Sequence, residues 1–246
     1  MTEPLFLADL DNPQPGGSVE LTGEEGRHAV SVRRLRVGEV IWIADGAGTA
    51  VRGPVSELGK NRLTVTVDEV VHDPAGPVRY VAVQALPKGE RAEQAVDMLT
   101  ELGIDEIVPW QSERSVVRWT PERVERGLTR WRAAAREAAK QSRRFRVPIV
   151  SAPLTTEEIA LRIKQTALTV VLHETASEPL ARLGMPGSGE IMFIVGPEGG
   201  LTDAEVAAFE EVGGKVVLIA DTVLRTSTAG VVALAQLQAL AARDAT

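Results

Sequence analysis

Apolar and polar positions follow one rhythm in the first part of the chain and another in the rest. Up to about residue 72 they alternate in short stretches broken by turn residues. Residues 40–44 (Val-Ile-Trp-Ile-Ala), 50–55 and 62–67 (Arg-Leu-Thr-Val-Thr-Val) read as strands, the last with clean period-two alternation. A tight turn over 45–48 joins the first two, and Gly46 and Gly48 are read as its turn chemistry. Short strands at this spacing predict a small barrel or sandwich. His72-Asp-Pro-Ala-Gly-Pro77 has the composition of a linker, so the boundary is drawn there, with residues 1–73 as one domain and 74–246 as another.

Beyond the linker, apolar runs alternate with helical stripes. Residues 80–85 and 106–108 read as strands. Residues 90–102 carry apolar positions at 92, 95, 96, 99 and 102, a helical spacing closed by Gly103. Thr120-Pro121 opens a long helix with proline in its first turn. Thr155-Thr-Glu-Glu158 and Thr202-Asp-Ala-Glu205 are capping boxes, each starting a helix. Residues 169–172, 191–195 and 216–220 are unbroken apolar runs of the kind a parallel sheet buries on both faces. Residues 227–242 form a closing helix rich in Ala, Val and Leu. Alternating strand and helix predicts an α/β layered domain with a mostly parallel sheet. Ligands of such sheets bind beyond the carboxyl ends of the strands, which directs attention to the loops after Leu172, Val195 and Ala220.

Composition narrows the chemistry. The chain of 246 residues has no cysteine, which removes disulfides, thiolate metal sites and a cysteine nucleophile, and favours a reducing, cytoplasmic setting. Three histidines without cysteine make a transition-metal site an unfavoured reading. No apolar run is long enough for a membrane helix, and the start of the chain lacks the basic and apolar regions of a signal peptide. The net charge is −7, yet basic residues cluster. Arg27, Arg33, Arg34 and Arg36 lie in a ten-residue stretch without an acid. Residues 130–146 carry seven basic side chains against Glu137 alone. Such local asymmetry is either two solvated faces or a footprint for phosphate.

The three loops hold the candidate site. Gly196-Pro-Glu-Gly-Gly200 combines backbone freedom with a following helix start, so its N–H groups can receive a polar ligand or simply turn the chain. It is neither a P-loop nor a dinucleotide fingerprint, since the required spacings are missing. His173-Glu174 lacks the second histidine of a zinc motif, and no nucleophile elbow is present. Arg225 falls between an apolar run and an Ala-rich helix. There it either pairs with an acid such as Glu198 or Glu174, or faces a ligand anion.

Leu172-His-Glu174, Ile194-Val-Gly-Pro-Glu-Gly-Gly200 and Val223-Leu-Arg-Thr-Ser-Thr-Ala229 together resemble the RsmE family of SPOUT-class methyltransferases. The resemblance extends to Arg27-His28 with Val32-Arg-Arg-Leu-Arg36. It includes Ala85-Leu-Pro-Lys88 with Glu101-Leu-Gly-Ile-Asp105, and Glu137-Ala-Ala-Lys-Gln-Ser-Arg143 with Pro148. It implies a PUA-like β-barrel followed by a trefoil-knotted α/β domain, and a homodimer without metal or membrane. It implies an enzyme that uses S-adenosylmethionine to methylate N3 of a uridine in small-subunit (16S) ribosomal RNA. By similarity, Leu172, His173, Glu174, Gly196, Gly199, Gly200, Ile219, Ala220, Val223, Leu224 and Thr226 form the cofactor pocket, many through main-chain contacts. Arg225 is the candidate that stabilises charge on the base, and Glu198 orients it or accepts the proton. Arg27, Arg33, Arg34, Arg36, Arg136, Lys140, Arg143 and Arg144 are expected to bind RNA phosphates. In many relatives the last motif is expected to read Arg-Thr-Glu-Thr, and here Ser227 stands at the third position. That departure keeps in view a non-catalytic assembly factor that binds ribosomal RNA; a second alternative is a SPOUT enzyme acting on another RNA site, which would share the cofactor loops and differ in the N-terminal domain.

Overall fold

The computed structural model describes residues 3–89 and 91–244. The predicted helix start at Glu90 lies outside them. The chain forms two compact units, one of residues 1–75 with 139–147 and the other of 76–138 with 148–246.

In the first unit, alternation produces short strands: β1 (Leu5–Leu7), β2 (Ser18–Leu21), β3 (Val40–Ala44), β4 (Thr49–Leu58), β5 (Leu63–Thr66) and β6 (Glu69–His72), with a one-turn helix α1 (Gly23–Arg27). They form one sheet in the order β1-β3-β4-β5-β2, with β6 also on β4. Phe6 on one edge strand and Leu21 on the other share a single cluster with Ile41, Ile43, Val51, Val55, Leu63 and Val65. A flat sheet would hold its two edges apart, so this sheet curls around its core. A register shift between Val55 and Glu57 helps the long β4 serve β3 and β6 at one end and β5 at the other. Gly53 sits where a Cβ would come within 1.8 Å of the Thr66 carbonyl oxygen, so only glycine allows that approach. β1, β2 and β6, of three or four residues each, are too short for the alternation to have marked them individually.

Residues 139–147 complete this unit, although the sequence placed them in the second domain. The Phe145 ring lies 5.0 Å from Trp42, Val147 N–H donates to the Gly46 carbonyl at 2.9 Å, and Arg146 donates to the Asp73 carbonyl. Lys140 Nζ meets Glu25 Oε1 at 2.9 Å, with the lysine side chain only 5% exposed.

In the second unit, the apolar runs become a fully parallel sheet. Its order is β12 (Lys215–Val217), β10 (Leu168–Leu172), β11 (Gly189–Val195), β7 (Val78–Ala85), β8 (Glu106–Trp110), β9 (Ile149–Val150). One face is covered through Ile159, Ile163, Leu201 and Phe209, around α4 (Thr156–Ile163) and α5 (Asp203–Glu211). α6 (Thr226–Asp244) packs on β11 and β7 and against α2 (Arg91–Glu101), while α3 spans Pro121–Ser142. Both capping boxes form as the sequence predicts: Thr155 and Thr202 accept from the N–H three residues on, and Glu158 and Glu205 return the bond. The strand expected over 216–220 ends earlier, at Val217. Beyond it Leu218 makes a single bridge to Pro179, and the chain then turns away from the sheet. β10 ends at Leu172, so residues after 217 have no strand to pair with.

At the amino ends of the strands, a charged cluster fastens β7, β8, β11 and α4. Arg79 reaches Glu106 at 2.6 Å and Glu190 at 2.7 Å, and Arg162 reaches the same two acids at 2.7 and 2.8 Å. Burial alone would push the Glu106 carboxyl up. The hydrogen bonds from Arg162, Ser151 and Arg79 outweigh burial and hold it down at about 2, against an ordinary value of 4.5. A carboxyl held below its unfolded value contributes stability that is complete above about pH 4.5. That stability is lost as pH falls toward 2, and is worth about 3 kcal/mol. Urea unfolding of wild type and Glu106→Gln from pH 7 to pH 3 checks this. The variant is expected to be less stable at pH 7 and to show a shallower acid decline; parallel curves would refute the assignment.

Candidate active site

The carboxyl ends of β10, β11 and β12 open on one cleft of about 630 Å³. Its walls gather the residues of the three separate sequence segments. Leu172, His173 and Glu174 come from the end of β10. Gly196, Glu198, Gly199 and Gly200 come from the turn after β11. Ile219, Ala220, Val223, Leu224, Arg225 and Thr226 come from the segment that leaves β12. Every residue expected at the cofactor pocket or in catalysis therefore lines the same cavity. Arg91, Arg114, Asp203 and Thr222 line it as well, without having been singled out in the sequence.

The Gly-rich turn is held by its carbonyls. Thr226 Oγ1 donates to the Gly196 carbonyl at 2.8 Å, and Gly200 N–H donates to the Pro197 carbonyl at 3.0 Å. Arg114 Nη1 donates to the Gly199 and Leu201 carbonyls at 3.3 and 3.1 Å. The N–H groups of Glu198 and Gly199 have no acceptor among the described residues. Three of the turn's carbonyls are thus met by protein donors while two of its N–H groups stay available, the polarity that suits a ligand with acceptor atoms. Gly200 takes φ +72°, a left-handed conformation that favours glycine.

A buried relay fixes this arrangement from behind. Gln84, fully buried on central strand β7, donates through Nε2 to Thr226 Oγ1 at 3.0 Å, and that hydroxyl donates onward to Gly196. The start of α6, the Gly-rich turn and the middle of the sheet are joined by one chain of hydrogen bonds. A polar residue inside the apolar run 80–85 was the available signal for Gln84, since a buried amide requires partners.

Arg225 pairs with neither Glu198 nor Glu174. Its guanidinium is exposed at the cleft and has no protein partner among the described residues. Glu198 is engaged elsewhere: Oε1 accepts from Lys88 N–H at 3.1 Å and lies 3.6 Å from Arg91. It ties the segment after β7 to the Gly-rich turn and does not orient Arg225. His173 Nδ1 is hydrogen-bonded to the Thr175 hydroxyl at 3.0 Å. Ser227 is buried in the first turn of α6 and does not line the cleft.

The basic residues divide. Arg27, Arg33, Arg34, Arg36 and Arg143 are exposed on the first unit, and Arg136 is exposed on α3. Arg144 is half-buried. Lys140 is not available to phosphate: it is buried against Glu25, and its charge serves the interior of the first unit. Among the described residues no cluster of His, Asp and Glu could hold a metal ion, and no helix is long and apolar enough to cross a membrane.

Comparison with known proteins agrees with this geometry. Residues 74–238 match the RNA methyltransferase domain family, and residues 21–68 match the PUA domain of RNA methyltransferases. Ribosomal RNA small subunit methyltransferase E of Mycobacterium bovis is 41% identical over 99% of this chain and 94% of its own. The Bacillus subtilis protein of that name is 30% identical over 87% of each chain. The crystal structure of a ribosomal RNA small subunit methyltransferase E from Neisseria gonorrhoeae, bound to S-adenosylmethionine, superposes with TM-score 0.87 at 30% identity. That match covers 97% of this chain and 98% of the other. The chain belongs to the ribosomal RNA small subunit methyltransferase E family.

Proposed function

We propose that this protein transfers a methyl group from S-adenosylmethionine to N3 of a uridine in small-subunit ribosomal RNA. The observation that carries the reading is the single cleft where the Gly-rich turn, with two unpaired N–H groups, faces the same space as an unpaired arginine. The relatives named above act on small-subunit ribosomal RNA by name, and the Neisseria structure contains S-adenosylmethionine.

The residues fit that cofactor. The cleft has the volume of a small-molecule site, with walls part apolar (Leu172, Leu218, Ile219, Leu224) and part main chain. Unpaired N–H groups at 198 and 199 suit the acceptor atoms of an adenine or a carboxylate. Asp203 and Glu174 supply negative charge for an ammonium or sulfonium centre. When bound, the cofactor supplies an electrophilic methyl group.

The chain's own residues supply position and charge. Uridine N3 must lose its proton to become a nucleophile, and the negative charge spreads over N3 and its two carbonyl oxygens. The Arg225 guanidinium, with no protein anion to neutralise it, is free to stabilise that charge. Glu198 Oε2 carries no protein partner and accepts the N3 proton, while Oε1 stays on Lys88 N–H. The Gln84–Thr226–Gly196 relay keeps the turn and the start of α6 in register, which would hold the cofactor in a fixed place relative to the base. Ser227 lies buried outside the cleft, so its identity removes no group from this chemistry.

Residues 1–73, completed by 139–147, serve as the RNA-binding domain, and the rest of 74–246 as the catalytic one. Arg27, Arg33, Arg34, Arg36, Arg136, Arg143 and Arg144 contact phosphate. The protein works in the cytoplasm as a homodimer. A trefoil knot in the second unit follows the family resemblance. Leu218 exchanges hydrogen bonds with Glu178 and Leu180 before α6 starts against Gly196.

Calorimetric titration with S-adenosylmethionine, ATP and NAD, followed by methyl transfer to unmodified small subunits with the product nucleoside identified by mass spectrometry, tests the reading. Selective binding of S-adenosylmethionine and formation of N3-methyluridine are expected. Binding without transfer to any RNA would overturn the enzymatic reading, and a different methylated nucleoside would overturn the N3 assignment.

A further inference from the structure

A second cavity, also of about 630 Å³, is bordered by the segment that follows β7. Its walls include Leu86, Pro87, Ala92, Val117, Trp119 and Trp131. The same segment borders the active-site cleft: Lys88 N–H and Arg91 both engage Glu198 there, one residue away from Ala92. The two cavities therefore share a wall.

Three features of this cavity are unusual for a mere packing defect. The first is its aromatic wall. Trp119 is half-buried and meets the fully buried Trp131 edge to face, with ring centres 5.4 Å apart. A Cβ at position 127 would come within 2.5 Å of the Trp119 ring, so Gly127 is what lets the indole lie against α3. The second is an unmet donor: the Trp131 indole N–H is buried and has no acceptor among the described residues. The third is charge. Arg123, Arg126 and Arg130 fall at i, i+3 and i+7 of α3 and so share one face of that helix. Arg130 lies at the edge of the cavity, paired with Glu93 at 2.6 Å. Arg123 and Arg126 are exposed and have no partner among the described residues. In a chain of net charge −7, two unpaired arginines on the helix face that also carries Arg130, at the edge of an aromatic cavity, are complementary to a polyanion that carries flat rings.

We infer that the Trp119–Trp131 cavity is a second RNA subsite that holds an unpaired base next to the methylated nucleotide, while Arg123 and Arg126 contact its backbone. The occupant follows from the wall chemistry: the half-buried Trp119 indole can stack a base without sequence preference, and guanidinium groups on the adjoining face of α3 track phosphates. The shared wall makes the neighbour of the target nucleotide the base within reach. This inference rests on the RNA methyltransferase reading above.

Full-length Trp119→Ala and Trp119→Phe test it with small-subunit ribosomal RNA. Trp119→Ala is expected to bind RNA roughly 10- to 100-fold more weakly, the scale of one lost base–aromatic stack. Trp119→Phe should stay within about 3-fold, since a smaller ring still stacks. S-adenosylmethionine affinity should be unchanged in both. Arg123→Gln/Arg126→Gln, at exposed positions that leave folding intact, should lower the salt slope of RNA binding by about 1 to 2. In the wild-type protein, 4-thiouridine-substituted RNA should crosslink to the 117–131 peptide. RNA affinity of Trp119→Ala equal to wild type, or crosslinks confined to other peptides, would overturn the inference. So would a changed sedimentation state in that variant, which would assign the cavity to a second copy of the chain. Failure of the wild-type protein to bind S-adenosylmethionine or to methylate RNA would instead count against the reading on which the inference rests.

Discussion

Arg225→Ala is expected to methylate small subunits about 10²- to 10³-fold more slowly than wild type, the usual effect of deleting one preorganised charge-stabilising donor. Binding of S-adenosylmethionine should change by no more than a few-fold. The Arg225 side chain makes no hydrogen bond to the Gly-rich turn, so its loss leaves the Thr226–Gly196 and Arg114–Gly199 contacts in place. Its backbone carbonyl, which accepts from Thr228 and Ala229 at the start of α6, is unaffected by the substitution. Arg225→Lys should fall between the two, because an ammonium keeps the charge but loses the planar fork. Single-turnover methyl transfer with saturating cofactor, alongside calorimetry, separates the steps. A variant with wild-type turnover would remove Arg225 from the mechanism; a variant that no longer binds cofactor would move it from charge stabilisation to cofactor binding.

Lys140→Met is expected to destabilise the protein by about 3–5 kcal/mol, the usual effect of removing one partner of a buried ion pair. The Glu25 side chain is only 15% exposed and the lysine only 5%, so water does little to screen or replace this contact. Replacing both residues, as Lys140→Met with Glu25→Met, should recover much of that loss, since an apolar pair of similar volume avoids the desolvation of two charges. Urea unfolding of the two single variants and the double variant measures the coupling. The same proteins also distinguish an interior role from phosphate contact. If Lys140 bound RNA, its removal would lower the salt slope of RNA affinity by about 1 with little change in stability. Unchanged stability would refute the structural role assigned to it here.

Local signals carried much of the architecture. Capping boxes at Thr155 and Thr202 appear as helix starts because an N-cap is satisfied within four residues of itself. Apolar runs at 169–172 and 191–195 appear as buried parallel strands because a sheet covered on both faces imposes that composition. The short β1, β2 and β6 were not legible. Strands of three or four residues are stabilised by the neighbour they pair with, and that neighbour is distant in sequence.

The site was legible as three loops but not as one cavity. Periodicity alone directed attention to the ends of three apolar runs, and only the sheet order β12-β10-β11 makes those ends adjacent. The early end of β12 follows from where β10 stops, a tertiary fact. Residues that act across long separations escaped the sequence: Gln84 meets Thr226 over 142 positions, and Arg114 reaches Gly199 over 85. Lys140 shows the converse. Within a run of basic residues it reads as one more phosphate contact, and only the fold reveals that it is buried on Glu25, 115 positions earlier.

By itself, then, the sequence determined the β-then-α/β order, the helix starts, the exclusion of thiol chemistry and the loops in which a ligand site would form. Each depends on neighbours within one turn or one strand, or on composition. The tertiary structure alone decided that those loops converge, that Arg225 stands unpaired while Glu198 is held by Lys88 and Arg91, and that residues 139–147 complete the first unit. Such outcomes depend on pairings between distant segments, whose free energy comes from burial and hydrogen bonding that no local window contains.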